Sequence, residues 1–226
     1  MNILAQISKP SVLEGSLYGC ATADHSDIFT NIFQNDTNIA IWQRVLSSHL
    51  LISAKNILEK WPAIKVSEVV TPEGVNKIIE NIFGSDQEWT ILCKDITRLV
   101  DIFCNLFSLN HARLKLTTLN HAMCPRFHVD RIPCRLITTY QGVATEWLPN
   151  MLADRSKLGT GNQGKPDERS GLFDSVAGIQ QLNRGDVALL KGETWENNLG
   201  SGLIHRSPRL PLDSKRLLLT LDFASD

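Results

Sequence analysis

A chain of 226 residues and 25.2 kDa is long enough for one sizeable core, or a core with a helical annex, and one compact unit is the expectation. Net charge is −1 and the pI is near 6.6, with Lys, Arg, Asp and Glu dispersed rather than blocked, so nucleic-acid binding is unsupported as a general function. The five cysteines are odd in number, the chain does not open with a basic segment and a long apolar run, and no apolar stretch approaches the ~18 residues that span a bilayer. A cytoplasmic protein with reduced thiols and no membrane role is expected.

Residues 1 to about 26 carry Gly15, Gly19 and few periodic apolar positions, and read as a loosely structured lead-in; His25 and Cys20 there are surface or loop residues. Asn38-Ile-Ala-Ile-Trp-Gln-Arg44 alternates in part and predicts a short strand. Leu50, Leu51, Ala54, Ile57 and Leu58 then recur at helical spacing from Ser47 to about Lys60, before Trp61-Pro62 stops the helix. A second helix opens at Thr71-Pro72, buries Val75, Ile78, Ile79 and Ile82, and ends at Gly84. Ser85-Asp-Gln-Glu88 has the form of a capping box, and Trp89, Leu92, Ile96, Leu99, Val100, Phe103, Leu106 and Phe107 give the third helix a broad apolar face.

After about Asn110 the period changes to two, and strands are expected around residues 113 to 119, 126 to 130, 134 to 140, 187 to 191, 202 to 206 and 216 to 223. Between them, Asn150 to Gly178 is rich in Gly, Asp, Ser, Lys and Asn, a composition that favours a mobile polar loop, either a lid or a solvated insertion. The fold class expected is α+β: N-terminal helices over residues 1–110, part of the same unit, packed outside a C-terminal jelly-roll, cupin-like barrel over residues 111–226.

The chemistry concentrates in Cys124-Pro-Arg-Phe-His-Val-Asp-Arg-Ile-Pro-Cys134 and its continuation to Pro149. Along an extended strand, residues two apart share a face, so His128 and Asp130 point together. His205, in Gly202-Leu-Ile-His-Arg-Ser-Pro208, is the candidate third ligand, and two histidines with one carboxylate suit non-haem Fe(II). Arg216 follows eleven residues later at the head of an apolar strand, with a planar guanidinium suited to a carboxylate. A histidine taken alone is more often a hydrogen-bonded core or surface residue than a ligand; the joint order of the four residues favours the metal site.

This order resembles the Fe(II)/2-oxoglutarate dioxygenase superfamily, whose pattern is His-x-Asp, a distant His, and Arg or Lys about ten residues on; the match covers the C-terminal half only. More closely, the run CPRFHVDRIPCRLITTYQGVATEWLP resembles a family of bacterial proteins of unknown function. The superfamily resemblance implies a double-stranded β-helix, iron held by His128, Asp130 and His205, 2-oxoglutarate as cosubstrate with its distal carboxylate on Arg216, and a phenol from Tyr140 to the same carboxylate. Tyr140 reads equally as an aromatic core residue. Arg206, Arg209 and Arg126 are candidate rim residues for an acidic group, with surface ion pairs as the plain reading; Arg131 and Arg135 add to a basic rim. Glu146 and Trp147 are candidates for the substrate side, with packing the plain reading of Trp147.

Cys124 and Cys134 depart from the oxygenase pattern. Thiolates favour zinc, so Cys124, His128, Asp130, Cys134 and His205 form an alternative zinc set, although Asp is uncommon in structural zinc sites and the spacing matches no standard module. Three readings stay open: an oxygenase acting on a small molecule or a side chain, a non-catalytic zinc-handling protein, and a cupin-like module that binds metal and a small acid. The chain has no Gly-x-Ser-x-Gly elbow, and Gly159-Thr-Gly-Asn-Gln-Gly164-Lys165 lacks the flanking strand and helix of a phosphate loop.

Overall fold

Strands from both halves of the chain build two sheets that share an apolar layer, seen here in a computed structural model that describes residues 19–224. In chain order the elements are β1 (Cys20–Ala23), β2 (Ile39–Trp42), α1 (Ser48–Lys60), β3 (Lys65–Val70), α2 (Val75–Phe83), α3 (Gln87–Phe107), β4 (Ala112–Leu119), β5 (Cys134–Gln141), β6 (Glu146–Leu148), α4 (Asp167–Ser170), β7 (Gln180–Gln181), β8 (Val187–Lys191), β9 (Ile204–Arg206) and β10 (Arg216–Phe223). The large sheet runs β1-β2-β8-β5-β10-β4-β3, antiparallel except for β1 on β2, and the small one runs β7-β6-β9.

The central strands are covered on both faces, the outer one mainly apolar and the inner one mixing apolar residues with polar ones such as Thr117, Arg135 and Arg216. On β10, Leu217, Leu219 and Leu221 join α1 and α3 in the outer core, while Leu218 faces inward with Ile137, Ala188 and Leu190 toward Trp147 and Leu203. At roughly 1.5–3 kcal/mol per buried leucine, these opposite faces fix the register, since a one-residue slip would exchange them.

The helices lie where the periodicity puts them. The Ser47 side chain caps α1 by accepting from the Leu50 amide, and Thr71 accepts from Gly74 ahead of α2. The capping box expected at Ser85 does not form: α3 starts at Gln87 after Asp86, whose carboxylate is drawn to Lys60 instead. No helix among the described residues is long and apolar enough to cross a membrane.

Four expectations change. The first 110 residues supply three strands of the large sheet as well as helices, so residue 110 is no boundary of the sheet. Residues 1–18 of the expected lead-in lie outside the described residues, and its remainder includes β1. The strand expected over 126–130 is a single bridge between His128 and His205. Residues 150–178 are a chain of short helical turns, with Leu172 buried against Phe127, Leu148 and Ile204 and Asp167 buried beside them.

Candidate metal centre

His128 and His205 meet across that bridge, each amide donating to the other's carbonyl at 3.0 and 2.9 Å. Their rings lie 4.5 Å apart between centroids. Asp130, two residues beyond His128, brings Oδ1 to 3.9 Å from His128 Nε2 and Oδ2 to 3.5 Å from His205 Nε2. One ligand atom from each of the three falls within 4.8 Å of the others, the one such group of His, Cys, Asp or Glu among the described residues.

Both imidazoles are oriented by the backbone. His128 Nδ1 lies 2.9 Å from the Arg126 carbonyl and His205 Nδ1 3.1 Å from the Leu203 carbonyl. A carbonyl only accepts, so Nδ1 carries the hydrogen and leaves the Nε2 lone pair for a metal. Burial, helped by the neighbouring His205, lowers the pKa of His128 and favours the neutral ring. Burial pulls the Asp130 carboxyl upward, but the contacts with His205, Arg135 and His128 outweigh it and hold it well below the usual range.

The Asp130 carboxylate is held in turn. Arg135 on β5 donates Nη1 to Asp130 Oδ2 at 2.7 Å and grips Asp222 on β10 with Nε and Nη2 at 2.6 and 2.9 Å. Lys115 on β4 reaches the same Asp222 at 3.2 Å. Burial opposes the Arg135 charge, but its bonds to the two aspartates prevail and raise its pKa. Arg135, read from sequence as part of a basic rim, is a neutralised support for Asp130. Gly192 fits against this turn, since a Cβ there would lie 2.0 Å from the Ile132 carbonyl oxygen.

His128, His205 and Arg216 line one cavity of about 160 Å³. Arg216 is 1% exposed, and its guanidinium donates to Thr139 Oγ1 at 3.0 and 3.2 Å and to Thr145 Oγ1 at 2.7 Å. Among the described residues it has no carboxylate partner, and burial alone pushes its pKa down to about 10, leaving it charged at neutral pH. A buried cation without a counter-ion is costly, and here its surroundings are two hydroxyls and a cavity. The backbone is shaped to it. Tyr140 is an extra residue in β5, because Leu217 lies opposite Gln141 and Leu218 opposite Thr139. Gly142 follows at φ +90°, where a Cβ would come 2.5 Å from the Lys215 carbonyl oxygen and 3.0 Å from Arg216 Cα.

Several expected site residues lie elsewhere. Tyr140 faces the helices, fully buried, with its hydroxyl donating to Asp95 at 2.7 Å, so the phenol cannot serve the cavity of Arg216. Thr139 and Thr145 are the hydroxyls beside Arg216. Cys134 lies in the outer core with its thiol pKa raised by burial, and exposed Cys124 lines the cavity, but neither joins the His-Asp-His group. The five-ligand zinc set is therefore not assembled, and the group that does form offers only N and O donors, a set that fits Fe(II). Arg206 lines the cavity yet is consumed by Glu146 at 2.7 Å and by Asp167 and Glu168 at 3.1 Å each. Arg126 pairs with Asp167, Trp147 packs between the sheets, and Arg209 and Arg131 are exposed.

The sequence model of a family described as "Protein of unknown function (DUF1826)" matches residues 23–222. No curated protein matches the chain by sequence. Among solved structures, a dioxygenase for auxin oxidation from rice superposes with a TM-score of 0.51 at 10% identity, over 83% of this chain and 74% of that one. The dioxygenase for auxin oxidation 1 from Arabidopsis thaliana, in its binary complex with 2-oxoglutarate, gives 0.51 at 10% identity over 92% of each chain. The likeness at this identity is one of fold.

Proposed function

The chain belongs to the DUF1826 family of proteins of unknown function, and from that footing we propose that it is an Fe(II)/2-oxoglutarate-dependent oxygenase, its two sheets a double-stranded β-helix with the N-terminal helices packed outside. One observation carries the reading: a buried arginine with no counter-ion among the described residues faces the same cavity as the two histidines of a converged His-Asp-His group. The likeness in fold to two dioxygenases supports it.

In this reading His128 Nε2, His205 Nε2 and one oxygen of Asp130 hold Fe(II), and Arg216 with Thr139 and Thr145 holds the distal carboxylate of 2-oxoglutarate. When bound, the iron and its keto acid supply the oxidising power: 2-oxoglutarate and O2 become succinate and CO2 while a C–H bond is hydroxylated. The protein's own work is placement. The two Nδ1–carbonyl bonds fix the imidazoles, Arg135 fixes the carboxylate, and the burial of Arg216 sets the anion end away from bulk solvent. A cavity of about 160 Å³ is small beside the roughly 300–1,000 Å³ of sites that engulf a drug-sized ligand. The substrate, a small molecule or a side chain, therefore presents its reacting group from the mouth, beside exposed Met123 and Cys124.

The test is anaerobic titration of metal-free protein with Fe(II) and then 2-oxoglutarate, following the visible charge-transfer band that a chelating keto acid gives. A band that is absent in His128→Ala is expected. A protein that gives no band and instead retains one tight zinc lost in Cys124→Ser or Cys134→Ser would overturn the reading.

A further inference from the structure

We propose that Asp167 is a positioning residue for the metal centre, and that the 150–178 segment, through it, templates the two histidines. The proposal rests on reading His128, Asp130 and His205 as metal ligands. β6 holds the His205 strand, but the His128 segment meets it only through a two-bond bridge and one more backbone bond, Ser207 to Cys124 at 2.9 Å, so side-chain ties can add to the order of their approach.

Asp167 supplies such ties from outside the sheets. It is 4% exposed, and its carboxylate reaches the chain neighbours of both histidines. Oδ2 accepts from the backbone amide of Phe127, the residue before His128, at 2.8 Å. The same oxygen lies 3.1 Å from Nη1 of Arg206, the residue after His205. Oδ1 sits 3.2 Å from Arg126 Nε, and the Arg126 carbonyl is the acceptor that orients His128. One buried carboxylate thus ties down both sides of the bridge. Phe127 is itself buried, so its amide needs this acceptor or stays unsatisfied. The Arg206 guanidinium also lies over the Phe127 ring, 4.3 Å from its centroid, closing the clamp.

A second tie makes the segment a strap rather than a lid. Arg155 donates to Glu193 at 2.7 Å and to the Gly202 carbonyl at 2.9 Å, at the entry to β9, while the Glu193 amide donates to the Asp130 carbonyl at 2.9 Å. Outer partners of this kind typically change metal affinity ten- to hundredfold when removed, because the ligands stay present but lose their aim.

The experiment uses Co(II) alone as the probe, in the full chain, with neither keto acid nor turnover, and reads the dissociation constant and the visible d–d bands alongside the melting midpoint. Asp167→Asn keeps the size and one acceptor for Phe127 but loses the charge that holds Arg206 and Arg126. It is expected to bind Co(II) about tenfold or more weakly, with displaced bands. Glu168→Gln, which removes only the outer partner of Arg206, should match wild type in both. Should Asp167→Asn fail to fold, Arg206→Gln cuts the clamp from the other end and is expected to displace the bands the same way. Wild-type affinity and unshifted bands in a folded Asp167→Asn or Arg206→Gln would overturn the positioning role while leaving the metal centre standing. A wild-type protein that binds no Co(II) would bring down both.

Discussion

Two arginines, Arg44 largely buried and Arg216 fully so, lie on opposite faces of the large sheet, and their surroundings differ in one respect. On the helix side, Arg44 meets Asp95 through two bonds of 2.6 and 2.9 Å, Tyr140 donates to the same carboxylate, and Arg44 Nε reaches the Gly185 carbonyl. On the inner side, Arg216 has two threonine hydroxyls and no carboxylate among the described residues. Burial lowers both guanidiniums; Asp95 more than restores Arg44, whereas nothing restores Arg216. The first is a finished structural network; the second, on the proposed function, is a receptor that an anion completes.

The sharpest way to break this contrast is to remove each cation. Arg44→Met leaves the half-buried Asp95 carboxylate with Tyr140 as its remaining partner and no counter-charge, and should cost about 3 kcal/mol in chemical denaturation, with 2-oxoglutarate affinity unchanged in the folded fraction. Arg216→Met should leave the metal-free protein as stable as wild type or more so, because it deletes an unpaired buried charge, yet weaken 2-oxoglutarate binding on the order of a hundredfold. Equal destabilisation by both changes would erase the distinction. Gly142→Ala forces a left-handed backbone and a clash beside Arg216; a loss of about 1–3 kcal/mol with weaker 2-oxoglutarate binding is expected from melting and titration. Tyr140→Phe removes one bond to Asp95 and should cost about 1 kcal/mol without touching 2-oxoglutarate affinity. The smallest effect belongs to Cys124→Ser, which should leave Fe(II) affinity at the wild-type value, since the thiol stands outside the ligand group.

The same contrast separates what sequence made legible from what it did not. Helix limits were readable because their signals are local: Ser47 and Thr71 cap, Gly84 stops, and β8 lies over the predicted 187–191. His128, Asp130, His205 and Arg216 were readable as an ordered set from their order and spacing; the strand expected to carry the first two is a single bridge, and the ligand atoms of the first three converge all the same. Tyr140 was misplaced because the face was not known: Arg135, Ile137 and Thr139 point inward and Tyr140 therefore outward, a matter of parity that a single anchor residue would have settled. β3 went unseen because Lys65-Val-Ser-Glu-Val-Val70 is a polar edge strand, stabilised by β4 and not by its own pattern. The polar composition of 150–178 suggested mobility because its order comes from pairings distant in sequence, such as Asp167 with Arg206 and Arg155 with Glu193.

The most direct test is calorimetric titration of 2-oxoglutarate under nitrogen into Fe(II)-loaded wild type, Arg216→Met and Arg44→Met. Saturable binding by wild type and by folded Arg44→Met, with a loss on the order of a hundredfold in Arg216→Met, is the expected result. Equal affinity in wild type and Arg216→Met, or no binding by Fe(II)-loaded wild type, would contradict the assignment of Arg216 as the anion receptor of the site.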